Sequence, residues 1–252
     1  MNTRQLDSDV IYRSLGQRIA RQIHLYKARF RPKERPRVEW LSQFIPEGGV
    51  ILDIGAHFGY FSKEFSRLHH GSCTIIAFEP MAYNAGILAV VTAKLPNVTV
   101  VNRALSDSNS VLDLAIPVKE QGKIGPGLAH LGAEDHRDFI VQSVETLRLD
   151  DYINDSQLTR VDFIKIDVEG AELPALKGAA VTIERYKPVI FAEVCRDFTK
   201  RLGYMPEDLF YFLAKAGYSA HRVNEQDLTM HPVLNYEDVG DYLFIYESNN
   251  TS

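Results

Sequence analysis

Cysteine is scarce in this chain: Cys73 and Cys195 are the two among 252 residues, far apart and each inside an apolar run. No C-x-x-C pair or Cys/His ligand spacing exists, so no zinc site is expected. A reduced, cytoplasmic compartment is the natural reading. Internal repeats and low-complexity tracts are absent. No apolar run reaches the length of a membrane span, and the first residues lack the apolar region of a signal peptide. The G-x-G-x-x-G signature of dinucleotide binding is missing as well.

What is present suits one large α/β domain with an arm. Apolar residues make up 45%, enough for a sizeable core. The net charge of −5 hides an asymmetry: residues 1–40 carry ten Lys/Arg against four Asp/Glu, and the remaining 212 carry eighteen against twenty-nine. The basic stretch, Arg18, Arg21, Lys27, Arg29, Arg31, Lys33, Arg35 and Arg37, is either a solvated helix and linker or a contact for anionic lipid, nucleic acid or an acidic substrate. We divide the chain into a basic helical arm, 1–45, and a Rossmann-like domain, 46–252.

The most informative segment is Val50-Ile51-Leu52-Asp53-Ile54-Gly55-Ala56-His57-Phe58-Gly59. An apolar strand meets an acid, two glycines follow at a four-residue spacing, and a helical pattern begins. Gly55 allows a tight turn, and Gly59 lets a cofactor approach the helix N-terminus. G-x-x-x-G with an acid two residues ahead suits a cofactor without a pyrophosphate and with a cationic amino-acid part, and S-adenosylmethionine meets both conditions. The bland alternative is a bare packing turn.

Residues 9–30 read as a helix, with Ile11, Leu15, Ile19, Ile23 and Tyr26 near helical spacing, broken by Pro32 and Pro36. Strands at 73–78 and 98–101 and helices at 58–68 and 81–94 complete a βαβαβ unit. Strands at 110–116 and 139–144 enclose residues 117–137, a glycine-rich stretch expected to be a mobile lid. A helix at 146–155, a strand at 161–167, a helix at 171–184, a strand at 189–193, a helix at 206–216 and strands near 218–223 and 242–246 finish the pattern.

Glu79 ends the second strand, where a carboxylate can accept hydrogen bonds from both hydroxyls of a ribose; the bland alternative is a surface acid that starts a helix. Pro80 then borders the adenine, and Asn102-Arg103-Ala104-Leu105 follows the third strand, where the adenine edge belongs. In Lys165-Ile166-Asp167-Val168-Glu169-Gly170-Ala171-Glu172, alternation puts Lys165 and Asp167 on one face, with Asp167 at the carboxyl end of its strand. An internal Lys165–Asp167 pair and a helix-start Glu172 account for two of these residues. Asp167 with Glu169 is left for chemistry.

These segments resemble the FkbM family of S-adenosylmethionine-dependent methyltransferases over roughly 50–220. The match lies in Asp53 to Gly59, Phe78-Glu79-Pro80, Ala104-Leu105-Ser106-Asp107, Lys165 to Glu172 and Pro188 to Glu193. The resemblance implies a class I methyltransferase fold: a doubly wound, mostly parallel sheet with an antiparallel C-terminal strand. It implies O-methylation of a hydroxyl on a sugar in a glycan or glycolipid, or on a related natural product. It also places Ala104 and Leu105 beside the cofactor with Asp53, Gly55, His57, Gly59, Glu79 and Pro80. His57 departs from the family, which more often carries Asn there. It is either a base or a helix-start histidine pointing outward.

A sugar hydroxyl is a poor nucleophile at neutral pH, and a carboxylate that takes its proton would help. Asp167, Glu169 and Glu193 are the candidates, Glu193 ranked last. No metal is expected, because the remaining histidines show no ligand spacing. Asp167 with Glu193 is the one pairing a metal-dependent variant would use. Nucleic acid is not expected as a partner, although an RNA methyltransferase using the arm for phosphates is the alternative. Contact between the arm and a membrane surface stays open.

Overall fold

The computed structural model describes residues 15–30, 34–119, 123–124, 130–131 and 139–247. Its main sheet has eight strands in the order β12-β11-β13-β10-β9-β1-β2-β3. These are β1 (Val50–Ile54), β2 (Thr74–Phe78), β3 (Val98–Val101), β9 (Phe163–Ile166), β10 (Val189–Val194), β11 (Tyr218–Val223), β12 (Met230–Val233) and β13 (Gly240–Tyr246). Strands β3, β2, β1, β9 and β10 run parallel, and β13 lies antiparallel between β10 and β11. β1 is buried along its whole length, Asp53 included. Such a strand is apolar almost throughout rather than alternating.

The chain winds outward through β1, β2 and β3, then returns to place β9 on the other side of β1. The reversal between β1 and β9 is a topological switch point, and a crevice opens at the carboxyl ends of these strands. Helices α3 (Tyr60–Leu68) and α4 (Ala82–Thr92) follow β1 and β2. On the other face lie α5 (Leu149–Asp155), α6 (Glu172–Lys177), α7 (Ala180–Tyr186) and α9 (Pro206–Lys215). A second sheet, ordered β4-β8-β5-β6 with β7 beside β5, consists of β4 (Ala104–Leu105), β5 (Ser110–Lys119), β6 (Lys123–Ile124), β7 (His130–Leu131) and β8 (Phe139–Leu147).

Several expectations need correction. The helix expected at 171–184 is two helices, α6 and α7. A Cβ at Gly178 would stand 2.0 Å from the Ser106 carbonyl oxygen, so the backbone between them is pressed against a neighbouring loop. The proposed lid is not loop throughout: β5 runs on to Lys119, and β6 and β7 pair with it. The other residues of 120–138 lie outside the described residues. Helix α8 (Arg196–Arg201) and strand β12 went unread, because α8 is short and mostly polar and β12 is four residues long and contains Pro232.

The described part of the arm packs on the domain. In α1 (Leu15–Phe30), Ala28 is fully buried and His24 Nδ1 lies 2.9 Å from the Tyr83 hydroxyl. From α2 (Arg35–Leu41) and the turn after it, Val38, Leu41 and Ile45 share a core with Ile51, Phe65 and Phe163. Residues 9–14 and Pro32 lie outside the described residues.

Candidate active site

A cleft of about 720 Å³ opens at the switch point. One side is formed by the turn after β1, the end of β2 and β4: Gly55, Ala56, His57, Glu79, Pro80, Ala104 and Leu105 line it. The other carries Asp167, Glu169, Glu193 and Asp241, with Lys165 between the two sides and Arg37 reaching in from α2. Nine of the eleven residues singled out from the sequence thus line one cavity. Asp53 and Gly59 are not on it.

Asp53 is fully buried beneath the floor. Its Oδ2 accepts hydrogen bonds from the Ser62 amide at 3.1 Å and the Ser62 hydroxyl at 2.5 Å, and Oδ1 lies 3.5 Å from Lys165 Nζ. The strand acid therefore ties β1 to α3 and to β9. Gly59 has φ +82°, and a Cβ there would stand 2.5 Å from Leu88 Cδ1. Its lack of a side chain serves the approach of α3 to α4. Gly55 is the closer constraint, because at φ +75° a Cβ would stand 1.9 Å from the Asp167 carbonyl oxygen.

Lys165 holds the two motifs together. Its ammonium donates to Gly55 O at 2.9 Å and stands 3.6 Å from Asp167 Oδ2 as well as 3.5 Å from Asp53. Burial alone would lower its pKa, but the Asp167 and Asp53 carboxylates outweigh that and raise it. Lys165 stays charged. Strand alternation already pairs Lys165 with Asp167, whereas the bonds into the first motif depend on the parallel β1–β9 register, which sets Asp53 beside Lys165.

Glu79 Oε2 accepts from the His57 amide at 2.8 Å, and Oε1 from the Met81 amide at 2.9 Å and Asn84 Nδ2 at 3.3 Å. Burial pushes its pKa up to about 7 against the pull of those donors. Asn102 Nδ2 donates to the carbonyls of Glu79 and Pro80 at 2.7 and 3.0 Å, fixing the corner after β2. His57 has φ +50°, a conformation uncommon for a residue other than glycine. Burial, then the nearby Lys165 charge, hold its pKa down to about 4, so it is neutral at neutral pH. Its Nε2 is buried and has no hydrogen-bond partner among the described residues. The ring packs against Phe58, so it is not an outward-pointing histidine.

The acidic side is electrostatically loaded. Burial, then Asp167 and Glu193, push the Glu169 carboxyl up to about 8. Glu193 is accessible by surface area, but that surface belongs to the cleft, and burial followed by Asp167 and Asp241 raises it to about 7. Asp241, opposite Glu193 across the β10–β13 pairing, is raised by burial to about 6 although Arg37 Nη1 stands 3.2 Å away. Glu169 sits at φ +52° in the turn after β9, backbone strain of the kind that gathers at working sites. Glu172 turns away from the cleft, accepting from the Gly170 amide at 3.0 Å and the Val168 amide at 3.3 Å. The places of Arg37 and Asp241 in the cleft were not read from the sequence. Arg37 was named only within the basic stretch, with solvation and contact with an anionic partner both open, and Asp241 is placed only by strand register. Among the described residues no group of three or more His, Cys, Asp or Glu is arranged to hold a metal ion, and no helix is long and apolar enough to cross a membrane.

The switch-point cleft with its strand-end acid fits S-adenosylmethionine chemically. Glu79 Oε2 accepts a single hydrogen bond among the described residues and has capacity for another, and the carboxylates create a negative field suited to a sulfonium. Fold and cleft define a methyltransferase of the S-adenosylmethionine-dependent class. The Methyltransferase FkbM domain matches residues 53–220, and the chain belongs to that family.

Relatives are consistent with the assignment. The chain is 29% identical over 160 residues to methyltransferase sdnD of Sordaria araneosa, covering 53% of this chain and 61% of that one. It is 30% identical over 145 residues to 2-O-methyltransferase NoeI of Sinorhizobium fredii, covering 54% and 59%. The matches thus span about three-fifths of these curated relatives. The solved methyltransferase FkbM of Methylobacillus flagellatus superposes with a TM-score of 0.50 at 18% identity, over 96% of this chain and 56% of that one. The O-methyltransferase of Bacillus cereus in complex with SAH gives 0.50 at 17%, over 95% and 94%. At such identities these structural likenesses speak for the fold.

Proposed function

We propose that the chain transfers a methyl group from S-adenosylmethionine to a hydroxyl oxygen of a sugar, in a glycan or glycolipid, or of a related natural product. The observation that carries this reading is the set of carboxylates facing the cleft beside the cofactor turn, with Glu169 raised to about 8 and Glu193 to about 7. A general base works best with a pKa near the operating pH. The relative named as a 2-O-methyltransferase supports oxygen as the acceptor atom.

In this reading Glu79 accepts the ribose hydroxyls, Pro80, Ala104 and Leu105 border the adenine, and Gly55, Ala56 and His57 shape the wall beside the amino-acid part. Asp53 and Gly59 act from beneath by fixing that turn. The bound cofactor supplies an activated methyl. The chain aligns the acceptor oxygen with that methyl and takes the hydroxyl proton on a carboxylate, Glu169 or Asp167 before Glu193. A phosphate backbone would meet the carboxylates of Asp167, Glu169, Glu193 and Asp241, which opposes the RNA alternative.

The test is methyl transfer from labelled cofactor into a panel of polysaccharides, glycolipids, small glycosides and RNA. Label in a hydroxyl ether of a sugar-containing fraction is the expected result. Label confined to RNA or to an amine overturns the reading.

A further inference from the structure

Helix α1 docks on the domain through one face: Ala28 is buried, His24 meets Tyr83, and Lys63 Nζ donates to the Ala28 and Arg29 carbonyls at 2.8 and 3.1 Å. The opposite face is apolar and open. Ile19, Ile23, Tyr26 and Phe30 follow one another at spacings of four, three and four residues and are 53%, 47%, 64% and 65% exposed. At about 100° per residue they form a single narrow stripe. Ile19, Ile23 and Tyr26 were read from the sequence as ordinary helical spacing, and the structure turns them away from the core. Arg18 and Arg29 flank the stripe on one side and Lys27 on the other, all exposed, and no acid occurs anywhere in Leu15–Phe30.

We propose that α1 is an interfacial helix that seats this stripe in the surface of an anionic lipid bilayer. An apolar face bordered by Lys and Arg, with aromatic residues in the stripe, is the arrangement that lies in the plane of a headgroup layer. The flanking cations add attraction to anionic lipid. Charge selects this occupant over a second copy of the chain, because a self-complementary contact would bring two acid-free, cationic helices face to face. The proposal does not depend on the identity of the methyl acceptor.

The experiment is sedimentation of the full chain with phosphatidylcholine vesicles, with and without phosphatidylserine, at low and high salt. Binding to the phosphatidylserine vesicles is expected, weakened by salt. Ile19→Ser/Ile23→Ser and Arg18→Glu/Arg29→Glu should each weaken it roughly tenfold or more. Both pairs are exposed, and unchanged melting and cofactor binding would establish that these variants fold, while Tyr211→Ser, an exposed aromatic elsewhere, should bind like the parent. Failure to sediment overturns the proposal, as does equal binding to both vesicle types that ignores the charge reversals. A concentration-dependent dimer dissolved by Ile19→Ser/Ile23→Ser, without vesicle binding, gives the stripe to a second copy. Salt-sensitive retention of RNA without vesicle binding gives the helix to nucleic acid.

Discussion

The backbone at Gly55 lies against the Asp167 carbonyl so closely that a Cβ would come within 1.9 Å of its oxygen, at a residue already held at φ +75°. The turn after β1 and the end of β9 are therefore one rigid unit. Gly55→Ala meets both an unfavourable backbone conformation and an immovable backbone atom. It should cost roughly 4 kcal/mol or prevent folding, measured by denaturant titration. Gly59→Ala meets a movable Leu88 side chain and should cost roughly 1–3 kcal/mol, mostly strain. Equal losses at the two sites would contradict this distinction.

Lys165 stands between the buried Asp53 and the cleft-facing Asp167. Lys165→Met keeps the length of the side chain but leaves Asp53 buried without its cation. Destabilisation by about 3–5 kcal/mol is expected. Adding Asp53→Asn to Lys165→Met should recover part of it, since the orphaned charge is the cause. Thermal melts of the single and double variants would show this, and a double variant no more stable than Lys165→Met would refute it.

Much of the architecture was legible in the sequence because periodicity is local. β1 is a continuous apolar run, and β3 was read at its full extent of Val98–Val101. Breaks caused by distant contacts were not legible. Nothing within 171–184 announces that Gly178 will press on Ser106. The site divided in the same way. Glu79, Asp167 and Glu169 sit at strand ends that the pattern marks, whereas Asp241 reaches the cleft only through the antiparallel pairing of β10 with β13. The acid of the first motif looked like a ligand contact because it precedes the glycine turn. A strand buried on both faces hides that side chain instead.

Glu79 accepts hydrogen bonds from two backbone amides as well as facing the cleft. Glu79→Ala would therefore loosen the His57 and Met81 turns along with the ribose site, so Glu79→Gln is the more discriminating change. It should weaken S-adenosylmethionine binding by about 1.5–3 kcal/mol, the scale of a hydrogen bond to a charged group. Calorimetry checks this against the melting temperature. Unaltered affinity in a folded Glu79→Gln protein would take Glu79 out of the cofactor site.

The raised carboxyls set a pH dependence. Glu79, Glu172 and Glu193 reach about 7 and Glu169 about 8 in the folded chain, from an ordinary 4.5. Groups raised on folding favour the protonated native state, and that contribution is lost as pH rises through the folded values. His57, lowered from 6.5 to about 4, acts in the opposite sense but only below 6.5. Between pH 6.5 and 8.5 the cofactor-free protein should lose stability. Across the same window S-adenosylmethionine affinity should rise, because ionised carboxylates attract its sulfonium, and binding should release protons. Melting scans and calorimetry in buffers of different ionisation enthalpy test both. A melting temperature that climbs from pH 6.5 to 8.5 would contradict the electrostatics.

The base is the sharpest question the cleft poses. Glu169 is held at φ +52° in the turn after β9, with its carboxyl raised to about 8. Glu169→Gln preserves shape and removes the proton acceptor. Turnover should fall roughly a hundredfold or more, with cofactor affinity changed little beyond the loss of one negative charge. In the parent enzyme the rate should rise through the range of the raised carboxyls, and that limb should flatten in Glu169→Gln. Asp167→Asn removes a partner of Lys165 as well, so it should lower both turnover and stability. Full turnover in Glu169→Gln would pass the role to Asp167 or Glu193. Full turnover in Asp167→Asn, Glu169→Gln and Glu193→Gln alike would leave alignment to carry the reaction, with water taking the proton.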